Sequence, residues 1–313
     1  MNLKRLALLF ILLTATIACN NDDDNTESFD AAAQAIIDDE ILVDYLKSHY
    51  YIEAELGEVF GDIDTIMNNE SSLFDNPNLK TETATENDIT YKYYYFEDKE
   101  GSELAPQKTD SVLVNYRGFL LDSTKFDERL SYTWLSLTNV IRGWSHGFVN
   151  FKAGVNSTTP GEPVSFSGTG SGMLFLPSGL AYGNFGNSGI PPNDPLIFHI
   201  RLGLVERADH DGDRLLSSYE DLDNDGNPNN DDSDGDGGAD YIDPDDDNDG
   251  VLTIDELELK TYVIAIGESE PTLASNEFEY DRMEDDMNIT IYTAVVTDSN
   301  NDGTPDYLDP DTN

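Results

Sequence analysis

At 313 residues the chain is long enough for about two domains with accessory segments. Its formal net charge of −46, with only 17 Lys and Arg, excludes a general nucleic-acid binder, because phosphate contacts need cations. The charge also repels an anionic membrane surface, and most of the excess falls after Glu206.

The N-terminus reads as an export signal over residues 1–18. Lys4 and Arg5 precede an apolar run, Leu6 to Leu13, too short for a bilayer span of ~20 residues. Thr16-Ile17-Ala18-Cys19 then resembles the lipobox of bacterial lipoproteins, with Thr16 where Leu is commoner. Cys19 is the only cysteine, so no disulfide forms within the chain, and it is the expected lipidation site. Signal cleavage before a free thiol is the alternative. Two or more acyl chains on Cys19 anchor a protein stably. The following Asn20-Asn21-Asp22-Asp23-Asp24 looks like the acidic export tag of some Bacteroidetes surface lipoproteins. The implied location is the cell envelope, lipid-anchored to the outer membrane, on its periplasmic or its outer side.

Residues 19–30 suit a tether. From Asp30 to Tyr50, Ala33, Ile36, Ile37, Ile41, Leu42, Tyr45 and Leu46 recur at helical spacing, with Asp30 as N-cap; this predicts a helix packed on its own domain. Gly57, Gly61, Asn68-Asn69, Asn76-Pro77 and the run Thr81 to Glu86 predict turns and a linker, so 31–85 reads as helix plus linker. Strands are predicted at Ile89–Phe96, Ser111–Leu121, Pro163–Phe166, Gly172–Leu176 and Leu196–Leu204, the last half-buried. A short helix is predicted from Trp144 to Gly154, with Trp144, Phe148 and Phe151 on one face. Antiparallel strands wrapped on one short helix make an α+β domain over 86–207. Residues 208–256 are Asp-rich, 257–297 form a β-rich insert in which Tyr262–Ile266 and Ile289–Tyr292 pair, and 298–313 hold a final acidic repeat.

Within 86–207 stand Tyr116-Arg117-Gly118, Lys125-Phe126-Asp127, Val140-Ile141-Arg142-Gly143-Trp144, Leu180-Ala181-Tyr182-Gly183, Gly189-Ile190-Pro191-Pro192 and Leu196-Ile197-Phe198. In that order they resemble the FKBP family of peptidyl-prolyl isomerases. The resemblance covers about a third of the chain and implies an FKBP-like antiparallel sheet on a short helix, and rotation of X-Pro bonds in exported polypeptides with no cofactor. It implies Trp144 as pocket floor, with Tyr116, Phe126, Val140, Ile141 and Phe198 as walls. The Ile141 N–H and the Tyr182 hydroxyl would donate to substrate carbonyls, with Asp127 at the rim and Ile190 at the mouth. Departures lie at the rim. No basic residue is an unambiguous partner for Asp127, Arg129 being closer in sequence than the family pattern; Tyr132 or Trp134 could be a second aromatic wall; Asn139 and Asn187 stand where an acid and a histidine are common.

Asp245, Asp247 and Asp249, then Gly250, the Val251 carbonyl and Glu256 match an EF-hand loop, an all-oxygen set for a hard cation. Asp209, Asp211, Asp213, Ser217 and Glu220 make a weaker match, with Arg214 in place of the turn glycine. Asp221, Asp223 and Asp225; Asp232, Asp234 and Asp236 with Asp240 and Asp243; and Asp298, Asn300 and Asp302 with Asp306 and Asp309 follow without room for flanking helices. They resemble thrombospondin type 3 repeats, and structural calcium is the expected ligand, the segment being disordered without it. The second functional expectation is a calcium-stabilised surface interaction or adhesion protein that uses the FKBP-like domain as a binding module.

Overall fold

The computed structural model describes residues 29–159, 161–162 and 164–312; the expected signal peptide, Cys19 and most of the tether lie outside them. Helix α1 (Ala31–Ser48) buries Ala35, Asp38, Leu42, Tyr45 and Leu46, a stripe at spacings of three and four. Ile36, Ile37 and Ile41, expected in that stripe, stay exposed. Asp38 takes the inner position because it is satisfied there, accepting from the Ser178 N–H at 2.7 Å and the Ser178 hydroxyl at 2.6 Å.

Strands β1 (His49–Ile52) and β2 (Asp62–Thr65) pair antiparallel. Next comes β3 (Leu79–Glu86), paired with β4 (Ile89–Lys99). The run Thr81–Glu86 is therefore a strand and not the expected linker. The sign was the pair Asn87-Asp88, whose φ values of 51° and 63° make the left-handed two-residue turn of a hairpin.

Further along come β5 (Ser111–Leu120), β6 (Lys125–Ser136), α2 (Arg142–Phe148), β7 (Val155–Asn156), β8 (Phe166–Ser167), β9 (Gly170–Leu176) and β10 (Leu196–Glu206). One sheet has the order β3-β4-β9-β10-β5-β6, each neighbouring pair antiparallel. Period-two alternation splits its side chains between two cores. Leu174, Leu176, Phe198 and Ile200 join Trp144 and Phe148 of α2 on one face. Met173, Phe175 and Ile197 join Leu42, Tyr45 and Leu46 of α1 on the other. Strand β10, expected to be half-buried, is thus buried on both faces. Helix α2 starts two residues earlier than predicted and stops at Phe148, though Phe151 is fully buried beyond it.

The insert forms a three-stranded antiparallel sheet from β11 (Leu257–Ala265), β12 (Glu277–Glu284) and β13 (Asn288–Val296), in the order β11-β13-β12. The predicted pairing is present, with Tyr262 opposite Ile291, and β12 is an added strand. A core of Leu215, Leu216, Leu257, Phe278, Ala294 and Tyr307 joins this sheet to the first and last acidic segments. The first and last acidic segments thus share a core with the insert, adding Leu215, Leu216 and Tyr307 to its Leu257, Phe278 and Ala294.

Candidate functional site

A cavity of about 570 Å³ opens on the α2 face of the sheet. Its lining brings together all nine predicted pocket residues: Tyr116, Phe126, Asp127, Val140, Ile141, Trp144, Tyr182, Ile190 and Phe198. Leu135, Asn139, Asn187 and Ser188 complete it. Strand β10 sets Phe198 opposite Gly118 of β5, and β6 sets Asp127 opposite the same glycine. A Cβ on Gly118 would stand 2.5 Å from Phe126 Cζ and 2.9 Å from Phe198 Cε1, so the two wall rings occupy the space a side chain there would take.

Trp144 is the hub of the ring cluster. Its centroid lies 4.9 Å from Tyr116 at 83°, 5.1 Å from Phe198 at 88° and 5.1 Å from Phe148 at 57°. These contacts, edge-on with Tyr116 and Phe198 and tilted with Phe148, add to area burial and fix the indole plane. Its Nε1 is buried without a hydrogen-bond partner among the described residues. Ile141 precedes α2 with φ −60° and ψ 141°, so its N–H stands outside the helical hydrogen-bond ladder. The helix is pinned by Ser145 Oγ donating to the Leu137 carbonyl at 2.6 Å and the Tyr93 hydroxyl donating to the His146 carbonyl at 2.8 Å. A Cβ on Gly143 would meet Leu176 Cδ1 at 2.6 Å, so this glycine lets α2 lie close on the sheet.

At the rim the Tyr116 hydroxyl donates to Asp127 Oδ2 at 2.7 Å. Burial, then this hydrogen bond, pushes the Tyr116 phenol up to about 12, so it stays a donor across the physiological range. Arg129 Nη1 lies 3.2 Å from Asp127 Oδ1 and supplies the basic partner that sequence spacing left open. Strand bulges between Val114 and Tyr116 and between Gly118 and Phe119 shift the β5–β6 register. As a result Leu135 lines the pocket; Tyr132 instead packs on Phe166 at 4.7 Å, and Trp134 is 46% exposed. Neither proposed aromatic is the second wall.

Arg142, inside the Val140–Trp144 motif, donates from Nε to Glu86 Oε1 at 2.8 Å and from Nη1 to the Gly226 carbonyl at 2.6 Å. Burial opposes ionisation of Glu86, but hydrogen bonds from His146 and Arg142 outweigh it and hold its carboxyl below the usual range. Lys108 Nζ donates to the Asp225 carbonyl at 2.8 Å, a second tie between the pocket domain and the second acidic loop.

The structure gathers Asp209, Asp211 and Asp213; Asp221, Asp223 and Asp225; Asp232, Asp234 and Asp236; and Asp245, Asp247 and Asp249, each with carboxylate oxygens within 4.8 Å of one another. Oxygens of Asp211, Asp213, Asp234, Asp245, Asp247, Asp249 and Glu256 are buried without a hydrogen-bond partner among the described residues, as suits cation ligands. Glu256 feels the charges of Asp247 and Asp249, though its burial is the larger cause that raises its carboxyl to about 8. Asp240 and Asp306 also hold their loops together through serines. Asp240 accepts from the Ser233 N–H and hydroxyl, each at 2.8 Å, and Asp306 from those of Ser299 at 2.7 and 2.8 Å. Asp243 accepts from the Asp245 N–H at 3.1 Å, and Asn300 turns its amide to Asp309 at 2.8 Å. The Val251 N–H is held by Asp249 at 2.7 Å. Asp298 and Asp302 form no such group with Asp309 among the described residues.

Residues 102–159 match the family model described as FKBP-type peptidyl-prolyl cis-trans isomerase, and residues 210–277 match the one described as BamM C-terminal. The FKBP-type peptidyl-prolyl cis-trans isomerase FkpA of Aeromonas hydrophila is 33% identical over 165 residues, 51% of this chain and 54% of that protein. FkpA of Escherichia coli K12 is 38% identical over 113 residues, 34% of this chain and 36% of that protein. The chain thus spans about half or less of these relatives' length. The FK506-binding protein of Neisseria meningitidis serogroup C is 35% identical over 101 residues, 30% of this chain but 79% of that protein. With a relative of this identity matched over most of its length, and the ring cluster assembled on one sheet, the chain belongs to the FKBP-type peptidyl-prolyl cis-trans isomerase family.

Proposed function

We propose that the pocket holds a prolyl ring and catalyses rotation about the preceding amide in exported polypeptides. The carrying observation is Trp144, set edge-on to Tyr116 and Phe198 at the base of a cavity whose one ionisable acid, Asp127, is already paired with Tyr116 and Arg129. Amide rotation faces a barrier of ~18–20 kcal/mol and breaks no bond, so it needs no nucleophile and no cofactor. The twisted amide has lost resonance and is less polar than the planar one. An aromatic, water-poor wall of Phe126, Val140, Ile141 and Phe198 therefore favours it, while the Ile141 N–H and Tyr182 hydroxyl hold the flanking carbonyls. Asn139, Asn187 and Ser188 make a neutral polar rim, which tunes peptide preference. A proline-peptide isomerisation assay on the full chain tests this: acceleration above buffer supports it, and none from folded protein reduces the pocket to a binding site.

We further propose that the acidic loops hold structural calcium. The donors are all oxygen, a hard-cation set, and several carboxylates are buried unpartnered. Calcium-dependent protease resistance of residues 208–312 is the expected result; no change between chelator and millimolar calcium would refute it. Lipidation at Cys19 and placement in the cell envelope rest on the sequence, and intact mass of membrane-extracted protein checks them, an unmodified thiol being the contrary outcome.

A further inference from the structure

The first and fourth acidic loops meet at a point that repeat spacing does not mark. Asp213 and Glu220 of the first loop and Asp246 of the fourth bring carboxylate oxygens within 4.8 Å of one another. These side chains are shut off from water: Glu220 is 0% exposed, Asp246 2% and Asp213 3%. Both oxygens of Glu220, both of Asp246 and Oδ2 of Asp213 have no hydrogen-bond partner among the described residues. Asp246 lies between Asp245 and Asp247, which serve their own loop. Its side chain turns the other way, toward the first loop.

Three buried carboxylates with almost every oxygen unpaired are costly, since each charge removed from water without compensation loses several kcal/mol. Protons alone are a partial remedy, because even shared between neighbouring carboxyl groups they would leave most of these oxygens without a hydrogen-bond partner. A cation answers both needs. Two oxygens on opposite sides of calcium, at ~2.4 Å each, stand ~4.8 Å apart, so oxygens no farther apart than that can reach one ion. The dry surroundings favour calcium over magnesium, which gives up its waters reluctantly.

We propose that Asp213, Glu220 and Asp246 form a buried inter-loop calcium centre that fastens the fourth acidic loop to the first. This rests on the reading of the acidic loops as calcium-binding, and adds a ligand, Asp246, that no single loop motif contains. The consequence is a cross-link: Asp246 lies beside the fourth loop's own ligands, while Leu215 and Leu216 carry the first loop into the core shared with β11, β12 and β13.

The test compares thermal unfolding of the full chain, wild type against Asp246→Asn, in chelator and in millimolar calcium. With chelator the variant melts higher than wild type, because an amide, which brings its own donors, replaces one of three crowded and unpaired carboxyl groups. With calcium the order reverses, and calorimetric titration shows at least a tenfold weaker binding step. Asp249→Asn, which alters the fourth loop's own site, serves as comparison. If calcium leaves wild type unchanged, the calcium reading as a whole fails. If wild type and the Asp249→Asn comparison respond as calcium binders but Asp246→Asn keeps wild-type affinity and shows no reversal, this centre alone is refuted. Equal stabilisation of wild type by magnesium would overturn the assignment to calcium.

Discussion

Arg142 joins the pocket helix to the second acidic loop, donating from Nη1 to the Gly226 carbonyl at 2.6 Å. Its neighbour Ile141 lines the pocket, and Gly226 in turn donates its N–H to Asp221 Oδ2 at 2.9 Å. One side chain thus spans the short path from a carboxylate of an acidic loop to the start of α2.

Arg142→Ala should cost about 1.5–3 kcal/mol of stability, the range for charge-assisted hydrogen bonds, because Glu86 loses one of its two cationic or hydrogen-bonding partners. Denaturant unfolding measures it. The variant should also uncouple the pocket from the loop: any calcium-induced change in Trp144 fluorescence seen in wild type should shrink or vanish.

Tyr182→Phe should lower kcat/KM for a proline peptide about fivefold to tenfold, the worth of one hydrogen bond of ~1 kcal/mol, with the fold intact. Phe126→Ala should lower it further by opening the wall to water. A variant with unchanged kcat/KM would show that the substrate does not use that contact.

Gly118→Ala tests a residue whose importance is steric. The added methyl meets Phe126 and Phe198 at 2.5 and 2.9 Å, so the wall rings must move. We expect a folded protein, less stable by about 1–3 kcal/mol, with isomerisation reduced at least tenfold. Retained activity with the full stability loss would show that the rings relax without narrowing the pocket.

His199 sets an acid limit to stability. It lies buried on the α1 face, its ring edge-on to Phe60 at 6.2 Å and to Phe119 at 5.4 Å. Burial, then the nearby Arg117 charge, lowers it from 6.5 to about 3. Between those values the unfolded chain binds the extra proton, so the stability this neutral ring confers is present above pH 6.5 and is lost as pH falls toward about 3. The slope for one site is up to ~1.4 kcal/mol per pH unit. Denaturant unfolding across that range should show the slope in wild type and a flatter profile in His199→Phe.

The pocket was legible in the sequence because its members sit in short local motifs. Aromatic and β-branched residues at Tyr116, Phe126, Val140, Trp144 and Phe198 carry their character wherever the chain takes them. The strand carrying Phe126 and Asp127 was not recognised, since β6 lacks a clean alternation and bends through bulges. Pairing along β5 and β6, irregular at two places, sets Leu135 rather than Tyr132 or Trp134 in the pocket, and only cross-strand register decides that.

What the sequence by itself determined is therefore the set of side chains available: rings in short motifs that gather at one pocket, and aspartates at alternate positions that gather in acidic groups. What only the tertiary structure decided is who meets whom. Burial of β10 on both faces, the pairing of Arg129 with Asp127, the bridge from Arg142 to Gly226 and the turn of Asp246 toward Glu220 all depend on contacts between segments far apart in the chain. Local pattern records which face of an element is apolar or charged; the partner that face meets is set by packing, where register, bulges and the need to compensate buried charge take over.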